Sequence, residues 1–122
     1  MTAAFVFAHA YGARVLLALG VVLGVWGTYQ YFRRSAVSPG FRSSYLLMAA
    51  LAPVQGLLGL ITLALGDRPT ELLHIVYGVF AVLFLPGAYL YARGGSKRRE
   101  AVILAGAAWI VSIAFLRGIF TG

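Results

Sequence analysis

The sequence predicts an all-α integral membrane protein, a single four-helix domain over residues 1–122, and three observations carry that prediction. Apolar residues make up 61% of the chain and charged residues only 11%, against about 25% charged in soluble proteins. The apolar residues gather into four runs, roughly Ala4 to Phe32, Phe41 to Gly66, Leu72 to Ala92 and Ala101 to Ile119. Each is close to the roughly 20 residues a helix needs to cross ~30 Å of hydrocarbon. Seven of the ten cations flank two of the connections: Arg33, Arg34 and Arg42 the first, and Arg93, Lys97, Arg98 and Arg99 the third. Barrel strands are excluded, because they need only about 9–11 residues with alternate ones polar.

The expected bundle is antiparallel, up-down-up-down, with helices at about 4–32, 40–66, 70–92 and 97–119. Helix 1 begins without the basic segment of a signal peptide, and its run is too long for a signal core, so a retained first helix is expected. Its Gly20 and Gly24 permit close helix contact. It ends in Trp26, Tyr29, Tyr31 and Phe32 before Arg33-Arg34, an interfacial aromatic belt followed by charges that cannot enter lipid. Helix 2 opens at Ser38-Pro39, a capping serine followed by a first-turn proline. Its interior Pro53 removes a backbone hydrogen bond and is expected to kink the helix before Gln55. Helix 3 starts near Pro69 or Thr70, with Asp67 and Glu71 where the helix dipole favours acids, and carries Pro86. Helix 4 follows Gly94-Gly95-Ser96 and holds the polar Ser112. A short echo, Gly27-Thr-Tyr29-Gln-Tyr31-Phe-Arg33 against Gly87-Ala-Tyr89-Leu-Tyr91-Ala-Arg93, is compatible with duplication of a two-helix unit or with coincidence.

By the positive-inside rule, loops 33–42 and 93–99 face the cytoplasm and both termini face outward, which implies a multi-pass protein of the cell inner (plasma) membrane. The formal net charge of +7 is not laid out as an interleaved basic and aromatic surface, so no nucleic acid partner is expected. The absence of cysteine removes disulfides, thiolate metal sites and covalent c-type haem attachment,. The three acids lie at membrane edges, Glu100 opposite Asp67 and Glu71, so no paired-carboxylate hydrolytic site crosses the core. Nor do two histidines provide a closed zinc shell.

The only histidines are His9 and His74, near the outer ends of two helices that cross in the same direction. Each either sits in the headgroup layer or faces the bundle, where an imidazole needs a partner and is a functional candidate. Two imidazoles on facing helices are what a six-coordinate haem iron requires axially. Gly12, three residues after His9, and Gly78, four after His74, share their faces and would leave room for a flat porphyrin. Arg14 and Arg117 either snorkel to the headgroups or pair with a buried anion such as haem propionates, which Arg68 is placed to assist. Counted from the cytoplasmic arginines, His9 lies 33 − 9 = 24 residues above Arg33 and His74 lies 93 − 74 = 19 above Arg93. Five residues correspond to ~7.5 Å of helix. Either tilt absorbs the offset, or His74 alone is a ligand and Arg14 occupies the matching level.

The pattern Gln55-x-x-Leu58-Gly59-x-x-Thr62, a short outer loop, then Leu73-His74 opening the next helix resembles one four-helix half, closest to the C-terminal half, of the heme A synthase family. The resemblance covers roughly residues 5–92. It implies a b-type haem between helices 1 and 3, with His9 and His74 as iron ligands and Gln55 near the haem. Ala10 follows His9 where the family commonly has arginine, and the chain has half the family's length, so no independent catalytic activity is expected.

The expectation is therefore a b-type cytochrome-like protein holding haem b in the lipid bilayer, with His9, His74, Gly12, Gly78, Gln55, Arg14 and Arg117 at the site. Its task would be electron transfer with a quinone or a redox protein, as a homo-oligomer or a subunit of a respiratory or photosynthetic complex. The alternative is a haem-free accessory subunit, motivated by the 15 glycines. Less favoured is an oligomeric transporter built on the proline-broken helices.

Overall fold

The computed structural model describes residues 2–66 and 73–121. Among them are four helices: α1 (Thr2–Arg34), α2 (Pro39–Ala64), α3 (Leu73–Ala92) and α4 (Lys97–Thr121). All four are long and apolar enough to cross a membrane. The expected start of helix 3 at residue 70, and the roles given to Asp67, Arg68, Pro69, Thr70 and Glu71, lie outside the described residues. Expected helix 2 reached residue 66, but α2 stops at Ala64, because Gly66 adopts φ +97° and turns the chain out of the helix. The helices run on through Pro53 and Pro86, both on exposed positions.

The first connection is closed by side chains. Ser35 takes the left-handed φ of 52° that terminates many helices, and its N–H donates to Tyr31 O at 3.0 Å,. Ser38 caps α2 by accepting from Phe41 N at 3.1 Å. Gln30 reaches across the turn, donating to Ser38 Oγ and accepting from Ser38 N, both at 3.0 Å. A buried amide thus has donor and acceptor satisfied by one residue, which fixes how α1 passes into α2.

Inward positions recur at alternating steps of three and four, the 3.5-residue period of helices that pack along a seam. In α1 they are His9, Ala13, Leu16, Gly20, Leu23, Gly27 and Gln30; in α2, Phe41, Tyr45, Met48, Ala52, Gln55, Gly59 and Thr62; in α3, His74, Ala81, Leu85, Ala88 and Ala92, with the exposed Gly78 in the same register. The core is drawn largely from these positions and from α4, including Ala101, Leu104, Ala108 and Val111. Helix α1 packs on α2 and α4, and α3 packs on the same two, so α1 and α3 sit across a diagonal. Close approach of α1 to α4 depends on glycine: a Cβ on Gly20 would lie 2.5 Å from Ser112 Oγ, and one on Gly24 would lie 2.7 Å from the Trp109 ring. The outward faces carry Leu57, Leu83, Leu90 and Ile113, all mostly exposed, which suits hydrocarbon as the surrounding solvent.

The sequence echo does not map onto matching environments. Gly27 is buried against Phe41 and Ala105, whereas Gly87 is exposed with open space where a Cβ would stand.

Candidate functional site

One face of α2 builds the site. Gln55, Gly59 and Thr62 are spaced at i, i+4 and i+7, so they lie one above another on the seam. His9 of α1 rests on this face. Its Nδ1 is 3.2 Å from the backbone oxygen of Gln55 and 3.0 Å from the Gln55 amide nitrogen, which also donates to His9 O at 2.5 Å. Glycine at 59 is what admits the ring, since a Cβ there would stand 2.9 Å from His9 Cε1. It also uncovers the Gln55 carbonyl four residues earlier in the helix. Thr62 Oγ1 in turn donates to Gly59 O at 2.8 Å. Gln55 and Gly59 of the Gln-x-x-x-Gly-x-x-Thr pattern thus seat His9, while the Thr62 hydroxyl bonds within its own helix.

The two contacts of His9 Nδ1 demand opposite tautomers. A carbonyl accepts only from a protonated Nδ1, whereas an amide N–H donates only to a bare one. With the Gln55 amide already donating to His9 O, the Nδ1–H form keeps both hydrogen bonds with standard roles and puts the lone pair on Nε2.

His74 of α3 is anchored from the other side. Its Nδ1 lies 2.9 Å from Gly118 O, and a carbonyl at that distance requires Nδ1–H, which again leaves the lone pair on Nε2. Gly118 belongs to the last turn of α4. No buried side-chain nitrogen or oxygen among the described residues lacks a partner.

The two imidazoles meet across the diagonal, ring centroids 5.8 Å apart and planes at 75°. The offset of five residues does not keep them apart. Both are half-buried. Below them lies a cavity of about 80 Å³, lined by His9, His74, Gln55 and Tyr77, with Phe115 and a set of small residues that includes Ala52, Gly56, Gly78 and Ala114. That volume holds a few waters and is below the roughly 300–1,000 Å³ of ligand sites.

Of the residues singled out from sequence, His9, His74, Gln55 and Gly78 come together around this cavity. Gly78 faces open space, whereas the room beside Gly12 is taken by the Gln55 amide, whose oxygen would lie 2.1 Å from a Cβ there. Arg14 is exposed and turns back along its own helix to donate to Ala10 O at 3.2 Å. Arg117 is exposed beside Gly118, and neither arginine lines the cavity. Gly59 and Gly118 were not among the expected site residues. Gly59 stood within the quoted pattern, but its role as the seat of a ring needs the partner helix to be seen. Gly118 acts through its carbonyl, which leaves no mark in side-chain spacing.

Among the described residues, no three of His, Cys, Asp and Glu converge on a point. A bare metal ion would therefore find two nitrogen donors only, whereas a metal carrying its own equatorial ligands needs no more. Two imidazoles bound on opposite sides of one metal through bonds of about 2.0–2.1 Å have centroids about 6.3 Å apart. The observed 5.8 Å is near that spacing. The two imidazoles are thus the residues that could hold such a metal, and the 80 Å³ cavity between the helices does not admit a macrocycle as it stands. Comparison of the chain with protein-family models, with curated proteins and with solved structures yields no match in any of the three.

Proposed function

We propose that this chain is a b-type cytochrome-like membrane protein that binds one haem b between α1 and α3 near the outer leaflet and passes electrons as a subunit of a respiratory or photosynthetic assembly. The observation that carries the reading is the pair of imidazoles from diagonal helices, 5.8 Å apart, each with Nδ1 against a backbone carbonyl. In this reading the bundle is antiparallel, up-down-up-down, with both termini outward and loops 33–42 and 93–99 cytoplasmic, in the inner (plasma) membrane. The arginines and lysine of those loops support that orientation.

Haem b bound there would supply a one-electron couple. The chain's own residues set its environment. His9 and His74 present Nε2, held in that tautomer by the Gln55 and Gly118 carbonyls, the arrangement that fixes ring orientation in histidine ligands generally. Ala52 and Gly56 on α2 and Ala114 and Gly118 on α4 keep the layer between them free of large side chains. No carboxylate lines the cavity, and in this reading both imidazoles are taken up as ligands, so a quinone or redox protein outside the bundle is the expected electron partner. The test is the dithionite-reduced minus oxidised visible spectrum of the protein purified in mild detergent. A sharp α-band with a shifted Soret peak supports the reading, and a flat spectrum from intact protein removes it.

A second reading has its own observation. The His9–Gln55–Gly118–His74 layer has its hydrogen bonds satisfied within the chain, and the cavity is small. Such a layer also serves as a register device in a haem-free accessory subunit. Under that reading both histidines accept alanine without any spectral change, while deletion of the chain loosens the parent complex.

A further inference from the structure

A concavity larger than the one at the histidines lies elsewhere on the molecule. It is a groove of about 690 Å³ on the outer face between α3 and α4, floored by Gly87, Ala88, Gly106 and Ala107 and walled by Phe80, Phe84, Tyr91 and Ile110 among others. Its depth comes from two glycines: a Cβ on either Gly87 or Gly106 would meet nothing within 4 Å. Almost no polar atom faces it. The groove runs along two membrane-spanning helices, so its neighbours are acyl chains.

Its polarity changes abruptly at one end. Tyr91 closes the groove where α3 gives way to α4, and the Arg99 guanidinium lies over the Tyr91 ring, 4.4 Å from its centroid. Arg93, Lys97 and Arg98 stand on the same connection. Arg98 contacts Tyr31, donating to its hydroxyl at 3.1 Å. Glu100 is the only carboxylate among the described residues, and it is committed to Arg42 through two contacts of 2.7 and 3.0 Å. The end of the groove is therefore a concentrated positive charge with no local acid to neutralise it.

We propose that this groove and its basic rim are a binding site for an anionic phospholipid, one acyl chain lying over Gly87 and Gly106 and the phosphate held by Arg99 with Arg93 and Lys97. A cationic cluster next to an apolar slot between spanning helices is the pattern that retains acidic headgroups. Guanidinium held over an aromatic face suits phosphate because its N–H fork stays aimed outward. The site is independent of any haem and rests only on the helices spanning a bilayer.

The experiment uses the whole protein, purified in detergent, equilibrated with equal amounts of dioleoyl phosphatidylglycerol and dioleoyl phosphatidylcholine, and weighed with its bound lipid by native mass spectrometry. Phosphatidylglycerol should be retained in preference, with one molecule per chain outlasting the rest as detergent is exchanged. Replacing the rim, Arg93→Gln with Lys97→Gln and Arg99→Gln, should lower that preference at least about tenfold. Filling the groove by Gly87→Leu with Gly106→Leu should remove the last retained lipid while helix content and melting stay unchanged, since neither side chain enters the core. Should the leucine pair misfold, Gly106→Val alone reads the same effect. Equal retention of the two lipids, or unchanged retention in the groove variants, overturns the proposal. So does a mass showing that a second copy of the chain fills the groove.

Discussion

The two ends of the seam are built from the same period and opposite materials. Toward the first and third connections α2 offers Phe41, Tyr45 and Met48, all fully buried. Phe41 stacks edge-on against Trp26 at 5.5 Å, and Tyr45 donates to Leu85 O at 2.6 Å. The bidentate Arg42–Glu100 pair and the Gln30–Ser38 bracket close that end. Toward the histidines the same α2 face continues as Ala52, Gln55, Gly59 and Thr62, and α3 contributes Gly78 and Ala81. Large side chains fill one half, and small or polar ones leave a cavity in the other. One end is filled; the other is left partly open.

If that division is right, the largest loss of stability comes from the filled end. Phe41→Ala should cost about 3 kcal/mol, the range for removing a buried aromatic from a packed site, read as a lowered unfolding midpoint in detergent. Comparable cost from truncating Tyr77, at the open end, would erase the contrast.

Next in size is the glycine that seats His9. Gly59→Ala places a methyl 2.9 Å from His9 Cε1 and should cost about 1–3 kcal/mol by overpacking, together with any haem absorbance. Gly78→Ala, with open space on its face, should be neutral in stability. The pair separates glycine that is required by contact from glycine that only leaves room.

His74→Ala should cost only about 1 kcal/mol, because Gly118 O lies in a terminal turn, yet it should abolish haem absorbance. Retention of full absorbance would detach the site from α3. Among the substitutions that remove a contact, Arg42→Gln should have the smallest effect. The pair it breaks is partly exposed, with side chains 35% and 17% accessible, so a change of about 1 kcal/mol or less is expected, and it should shrink further in high salt.

The four helices were legible because a spanning helix must satisfy its own backbone and therefore announces itself as a long apolar run. The seam was less so. In a bilayer both the inward and outward faces are apolar, so Leu57 on the outside and Leu85 on the inside look alike in sequence, and only the small and polar residues mark the interior. His9, Gln55 and His74 stood out for that reason. Arg14 misled by depth: its exposed side chain folds back along α1. The Arg42–Glu100 pair joins residues 58 apart, and Gly118 takes part through its backbone; neither leaves a local pattern to read. The groove between α3 and α4 takes Gly87 from one helix and Gly106 from the other, which no single helix records.

The central claim is that α1 and α3 each deliver one imidazole to the same iron, and the electron paramagnetic resonance spectrum of the oxidised protein tests it most directly. Bis-imidazole ligation predicts a low-spin ferric signal that is lost in both His9→Ala and His74→Ala. A high-spin signal in the unmodified protein, a low-spin signal that survives either substitution, or no haem signal at all would contradict it.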